Sequence, residues 1–272
     1  MILYTIIILI RRGGFSITTI VEEVAEKILK ASDSKTPIPF IRHHYQLTED
    51  TAYSVQDELI RKKREKIQGY KISMTSKATQ AIANTNEPAY GTLLSSNLVN
   101  SGESISLSEL FSPLVEPELI FILTNDLSSD ATAEDILNNS TIAAGIEIPD
   151  SRYIDWFPHF SLADLLCDDT ATGLVVISEA ILSPLTFDQL ANIKMELFHN
   201  GEKISEGYSS AVLGNPATSV EWLVKKLSNH QKSLKKGMVI SSGTFISPIR
   251  AEEGTYEVKY AGIGNAKVTF TK

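Results

Sequence analysis

Leu114-Val115-Glu116-Pro117-Glu118-Leu119-Ile120-Phe121 is an apolar run broken by two acids, and its reading decides what kind of sheet protein the chain forms. The apolar residues read as a buried strand. Side chains two apart on a strand share a face, so Glu116 and Glu118 point the same way. Two like charges on one buried face repel and are costly to remove from water. A hard divalent cation bound by oxygen ligands relieves both costs. Glu116 and Glu118 therefore read as half of a metal site.

A third acid interrupts a second apolar run, Ile142-Ala143-Ala144-Gly145-Ile146-Glu147-Ile148-Pro149-Asp150. Alone, Glu147 would read as an acid facing solvent from a half-buried strand. Three acids in two such runs, with no basic residue beside them, favour a shared metal.

Working outward, the chain before Gln68 is helical in pattern. Ile20, Val21, Val24, Ala25, Ile28 and Leu29 recur at helical spacing, and the segment 32–39 ends that helix. Thr48 is a candidate N-cap for a second helix carrying Ala52, Val55, Leu59 and Ile60 on one face. Beyond Gln68, short apolar runs separated by Gly, Pro, Asn and Ser predict strands near 69–73, 115–123, 142–148, 173–178, 193–198, 238–242, 255–260 and 266–271. A later helix follows Asn215-Pro216, with Thr218 or Ser219 as its cap and Val220, Leu223, Val224 and Leu227 as its apolar stripe. The expected division is an extension over 1–15, a helical part over 16–68 and a β-rich catalytic domain over 69–272, the last two forming one unit.

Composition bounds the function. A chain of 272 residues can bury a large core, and a net charge of −8 argues against a sequence-independent grip on nucleic acid or anionic lipid. The basic run Arg61-Lys62-Lys63-Arg64-Glu65-Lys66 reads as the solvated face of a helix. The single cysteine, Cys167, excludes an internal disulfide framework and reads as a small buried hydrophobe, so cytoplasm is the expected compartment. The apolar stretch at 2–10 is about half of the roughly 20 residues a membrane span needs, and its arginines follow rather than precede it. It is read as an extension or a peripheral strand, with no membrane partner.

Two further stretches carry candidate chemistry. Lys71 lies in Gly69-Tyr70-Lys71-Ile72-Ser73-Met74-Thr75-Ser76, a strand opening into a helix start with two hydroxyls. By itself it reads as a lysine reaching solvent from a strand edge. Facing a metal site, it would bind a carboxylate or transfer a proton, with burial and a nearby cation lowering its pKa. Ile240-Ser241-Ser242-Gly243-Thr244 runs a strand into a Gly turn whose backbone N–H groups can meet a carboxylate or oxyanion. Thr75, Ser76, Ser242 and Thr244 are thus expected along a substrate. The five histidines show no metal-ligand spacing, and no nucleophile elbow or P-loop occurs.

These motifs, with Glu87-Pro88-Ala89-Tyr90-Gly91-Thr92-Leu93, Glu147-Ile148-Pro149-Asp150-Ser151-Arg152 and Leu213-Gly214-Asn215-Pro216, follow the order found in a known family. The chain resembles the 2-keto-4-pentenoate hydratase and 4-oxalocrotonate decarboxylase branch of the fumarylacetoacetate hydrolase superfamily. The resemblance implies an α+β fold with N-terminal helices packed on a mixed β-roll or barrel, and a homo-oligomer. It implies Mg²⁺ or Mn²⁺ on Glu116, Glu118 and Glu147, with Asp150 the less suited third acid because it follows Pro149 at the strand end. A small unsaturated 2-oxo or 2-hydroxy carboxylate would bind there, with Lys71 assisting proton transfer and Asp168 joining the substrate-binding residues.

The implied reaction is hydration of a 2-hydroxy-2,4-dienoate, such as 2-hydroxypenta-2,4-dienoate, to a 4-hydroxy-2-oxo acid. The alternatives are decarboxylation of a 2-oxo-dioate and a catalytically silent paralogue. The chain departs from the hydratase pattern twice. Ala89 stands where hydratases carry an acid before the aromatic-Gly pair, and Cys167-Asp168-Asp169-Thr170-Ala171 matches Ala-Asp-Asn-Ala-Ser with the Asn and the Ser changed. Asp168 or Asp169 could take over water activation, whereas decarboxylation needs no activated water.

Overall fold

The computed structural model describes residues 17–179 and 185–272. The reading of residues 1–15 lies outside them. Helix α1 (Ile17–Ser34) buries Val24, Ala25, Ile28 and Ala31, the stripe its spacing predicts. Helix α2 (Glu49–Lys63) starts where Thr48 Oγ1 accepts from the Thr51 N–H, and it buries Ala52, Val55, Leu59 and Ile60. The two helices pack together, and each fully buried Leu or Ile between them contributes about 1.5–3 kcal/mol. Of the basic run, Arg61, Arg64 and Lys66 are exposed, as the sequence predicts.

The remaining elements follow in chain order. They are β1 (Ile67–Ser73), α3 (Lys77–Ile82), β2 (Ala89–Leu94), β3 (Leu98–Asn100), β4 (Ser104–Ser106) and β5 (Leu114–Leu123). Next come α4 (Ala133–Asn138), β6 (Ser140–Ile148), α5 (Leu162–Cys167), β7 (Leu174–Ile177), α6 (Phe187–Leu190), β8 (Lys194–His199) and β9 (Glu202–Tyr208). The chain ends with α7 (Pro216–Asn229), β10 (Val239–Thr244), β11 (Ile249–Arg250), β12 (Gly254–Tyr260) and β13 (Gly264–Thr271).

Two curled mixed sheets result. The larger has the order β2-β1-β10-β5-β6-β7-β3, with β11 also on β5, and the smaller runs β4-β13-β12-β8-β9. One face of the larger sheet carries Leu93, Ile120, Ala143, Val175 and Val239, which pack into a single apolar cluster drawn from five strands. Along β5 the same face carries Glu118 and Glu116 beyond Ile120, so the acids sit at the end of a dry apolar floor.

The helix after Asn215 needs one correction. Its cap is Asn215, whose side chain accepts from the Ala217 N–H, with Pro216 at the first helical position. Proline lacks the N–H that goes unused there, and its fixed φ suits a helix start, so the helix begins two to three residues before Thr218 and Ser219. Ser219 instead donates to the Ser242 carbonyl at 2.6 Å, tying α7 to β10. The short strands β3, β4 and β11 were not expected, nor were the longer β2 and β9. Strand β2 holds Gly91 and follows a proline, and β9 is mostly polar, so neither shows apolar alternation.

Candidate active site

Strand pairing assembles the site. Glu116 lies opposite Glu147 across β5 and β6, and Lys71 on β1 lies opposite Ser241 on β10. With β10 lying between β1 and β5, three strands, β1, β5 and β6, deliver one lysine and three acids to one place. Oxygens of Glu116, Glu118 and Glu147 all come within 4.8 Å of one another. Lys71 Nζ stands 2.8 Å from Glu147 Oε1, an ion pair off the line of a hydrogen bond. Glu118, Glu147 and Lys71 are buried, while Glu116 keeps some exposure toward a cavity.

Glu118 is held from β10. Ser241 Oγ donates to its Oε2 at 2.7 Å and the Gly243 N–H donates to the same oxygen at 2.8 Å. Strand β10 bulges between Ser241 and Thr244, which frees that N–H from the ladder. Gly243 has φ +116°, and a Cβ there would lie 2.4 Å from Thr75 Oγ1, so the turn needs glycine on both counts. The Gly turn thus meets a carboxylate as the sequence suggested, and that carboxylate is the protein's own Glu118.

The electrostatics are those of an overfilled anionic site. Burial first, then the Glu147 charge, pushes the Glu116 carboxyl up to about 8. Burial, Glu147 and Glu116 raise Glu118 well above the carboxylate range against the pull of Ser241 and Gly243. For Lys71, burial alone would lower the pKa, but Glu147, Glu116 and Glu118 outweigh it and hold the ammonium above the ordinary lysine range. Burial acts on Lys71 in the expected direction, and without a cation on the triad the three acids outweigh it.

Two buried carboxylate oxygens are short of partners: Glu118 Oε1 has none, and Glu147 Oε1 has only the Lys71 ion pair. Leaving them so is costly, and a hard cation with oxygen ligands is what this donor set fits. The residues present suit a divalent metal.

The polar lining of the cavity beside the triad is Lys71, Ser73, Thr75, Thr79, Glu116, Thr170 and Thr244. The cavity's remaining walls are Ile82, Leu114, Trp156, Phe157, Phe160, Leu165 and Pro248. Of the expected substrate-binding residues, Thr75 and Thr244 line it. Ser76 does not, and caps α3 instead. Ser242 is buried in β10, with its hydroxyl on the Leu119 carbonyl at 2.8 Å.

Asp168 also lies away from the cavity. Its carboxylate accepts from Ser151 Oγ, the Arg152 N–H and the Arg152 guanidinium, which uses both oxygens. Asp169 keeps Oδ2 unpartnered while Oδ1 accepts from the Thr92 N–H, and burial pushes its carboxyl up to about 6. Asp150 binds the Phe111 and Ser112 N–H groups and is no part of the triad. Ala171 lines the cavity, while Ala89 is buried in β2. Ser241 and the aromatic wall were missed by sequence reasoning, although Ser241 sits inside the quoted Gly-turn motif.

No family model matches the chain. Its sequence is 31% identical over 261 residues to a 2-hydroxyhexa-2,4-dienoate hydratase of Comamonas testosteroni, across 93% of this chain and 98% of that one. The chain belongs to the 2-keto-4-pentenoate hydratase family. Within this family it is also 30% identical to a 2-oxo-hept-4-ene-1,7-dioate hydratase of Escherichia coli, across 91% of this chain and 96% of that one. A 4-oxalocrotonate decarboxylase structure from Pseudomonas putida, complexed with magnesium and adipate, superposes with a TM-score of 0.87 at 24% identity, covering 96% of this chain and all of that one. The family fold expected from the sequence is thus present, and among the described residues no helix is long and apolar enough to cross a membrane.

Proposed function

We propose that the protein is a divalent-metal-dependent lyase that hydrates a 2-hydroxy-2,4-dienoate to a 4-hydroxy-2-oxo acid. The observation that carries this reading is the buried triad, with Glu118 Oε1 unpartnered and Glu147 Oε1 met only by Lys71 Nζ at 2.8 Å. Glu116, Glu118 and Glu147 would hold Mg²⁺ or Mn²⁺. That ion, when bound, supplies a Lewis acid for the 2-oxo carboxylate of the substrate.

The chain's own groups supply the rest. Ketonisation removes the enol proton and adds one at the far diene carbon; water then adds its oxygen at C4 and a proton at C3. Lys71 is the buried ammonium lining the cavity beside the triad; it is a partner for developing negative charge, and once a bound cation offsets the acids that raise its pKa it can give up a proton. Thr75 offers a hydroxyl there that can orient a water or the substrate head, whereas the hydroxyls of Thr170 and Thr244 donate to the Tyr90 and Ile246 carbonyls and can only accept. Ser241 and Gly243 fix Glu118, so one acid stays in place while the ion and substrate arrive.

A second reading, decarboxylation of a 2-oxo-dioate, draws on Ala89, since that chemistry needs an electron sink and a proton donor but no activated water. Product analysis separates the two. With Mg²⁺, loss of dienol absorbance matched by 4-hydroxy-2-oxo acid and no carbon dioxide supports hydration. Carbon dioxide released from 2-oxohex-3-enedioate, with the dienoate untouched, replaces it with the second reading. Oligomeric assembly and a cytoplasmic setting are carried forward as part of this proposal.

A further inference from the structure

The family's relatives include hydratases named for acids that end in an alkyl group and for acids that end in a second carboxylate, at nearly equal identity to this chain. Overall similarity therefore does not choose between them, but the cavity walls do. With the head of the substrate at Lys71 and Glu116, the rest of the lining offers its tail Ile82, Leu114, Trp156, Phe157, Phe160 and Leu165, beside the hydroxyls of Ser73, Thr75, Thr79, Thr170 and Thr244. None of the six apolar side chains carries a charge or a hydrogen-bond donor except the Trp156 indole N–H, which is already spent on the Ser112 carbonyl at 2.9 Å. Lys71 is the cation among the lining residues, and it is paired with Glu147.

Arg250 touches the same wall only from outside. Its guanidinium donates to Ser112 Oγ at 3.0 Å and to the Phe157 carbonyl at 3.1 Å, and its side chain is 56% exposed. The cavity has room for few waters, about 40 Å³, so a bound acid lies close against these side chains and displaces water from them. A carboxylate on the tail would be stripped of water with no free cation to pair with, whereas a methyl or ethyl group would gain from burial.

We infer that the site selects a monocarboxylic 2-hydroxydienoate with an apolar tail and rejects the corresponding dioate. This rests on the proposed function for its reaction, but the preference itself is a property of the wall and is also readable by binding.

The test compares kcat/KM for 2-hydroxypenta-2,4-dienoate, 2-hydroxyhexa-2,4-dienoate and 2-hydroxyhepta-2,4-diene-1,7-dioate with the Mg²⁺-loaded protein. The monoacids should exceed the dioate by roughly 100-fold or more, as for a buried unpaired charge, and the methyl-bearing tail should gain up to about fourfold. A ratio under about tenfold, or a reversed one, overturns the inference. If no substrate turns over, the proposed function fails, and calorimetric binding of 2-oxohexanoate against 2-oxoadipate decides the inference by the same ratio. Ile82→Arg, at a partly exposed wall position, should shift the preference toward the dioate by at least about tenfold; a folded variant with an unshifted ratio would also count against it.

Discussion

Lys71 Nζ and Glu147 Oε1 stand 2.8 Å apart with side chains only 3% and 2% exposed, so the site's one lysine is buried against its acids rather than held out to solvent. The pair joins β1 to β6 across β10 and β5, and the Glu147 carboxylate is among the charges that keep the buried Lys71 protonated. Removing the lysine would leave three buried carboxylates with no neutralising charge except a metal.

Lys71→Ala should therefore lower kcat by about 10²- to 10⁴-fold, the range for a lost proton-transfer group. Divalent-metal binding should persist or tighten, because the ammonium no longer competes for Glu147. Stopped-flow turnover and metal titration by calorimetry check the two halves separately, and wild-type kcat in the variant would remove Lys71 from the mechanism.

The metal-free protein should lose thermal stability as pH rises. Glu116 has a folded-state pKa of about 8, above its unfolded value, so the folded chain holds the extra proton between the ordinary carboxyl range and about 8. Stability present at low pH is lost as pH climbs through that window, and Glu118 adds to the same slope. Lys71 stays charged throughout. Melting after chelation should fall by several degrees from about pH 5 to about pH 8.5. Added Mg²⁺ should raise the midpoint more at the higher pH, and a flat profile would speak against an overfilled triad.

Gly91→Ala tests how the loop above Lys71 is seated. A Cβ at this position would come 2.3 Å from Thr172 Oγ1 and 2.5 Å from the Asp169 carbonyl, so backbone must move. The loop carrying Thr170 and Ala171 into the cavity should shift, costing about 1–3 kcal/mol and most of the activity. Denaturant unfolding and kcat/KM report the two effects, and wild-type values for both would show the loop to be yielding.

Asp168→Asn should destabilise the fold without acting through the substrate. Its carboxylate is fully buried on Arg152 and Ser151, and breaking a buried pair by removing one partner costs about 3–5 kcal/mol. Partial loss of activity with unchanged KM in the folded fraction is expected. A large rise in KM at full stability would restore Asp168 to the substrate.

The acids were legible in the sequence because a charge inside an apolar strand is an anomaly, and three of them require a common cause. Lys71 was legible only as a position, since which neighbour wins its charge depends on strands far apart in the chain. Asp168 was misplaced for the same reason: its motif gives no sign that Arg152 would claim both oxygens. Ser76 and Ser242 carry the hydroxyls the motifs promised, yet local backbone and a neighbouring carbonyl use them. Trp156, Phe157 and Phe160 sit in an irregular segment, where no periodicity marks a residue as cavity wall or core.

The most direct test of the account is the metal dependence of 2-hydroxypenta-2,4-dienoate consumption in chelator-treated wild type and in Glu116→Gln/Glu118→Gln. The account predicts no turnover after chelation, full recovery on adding Mg²⁺, and no recovery in the folded double variant. Turnover that survives chelation, or a double variant as active as wild type, would contradict it.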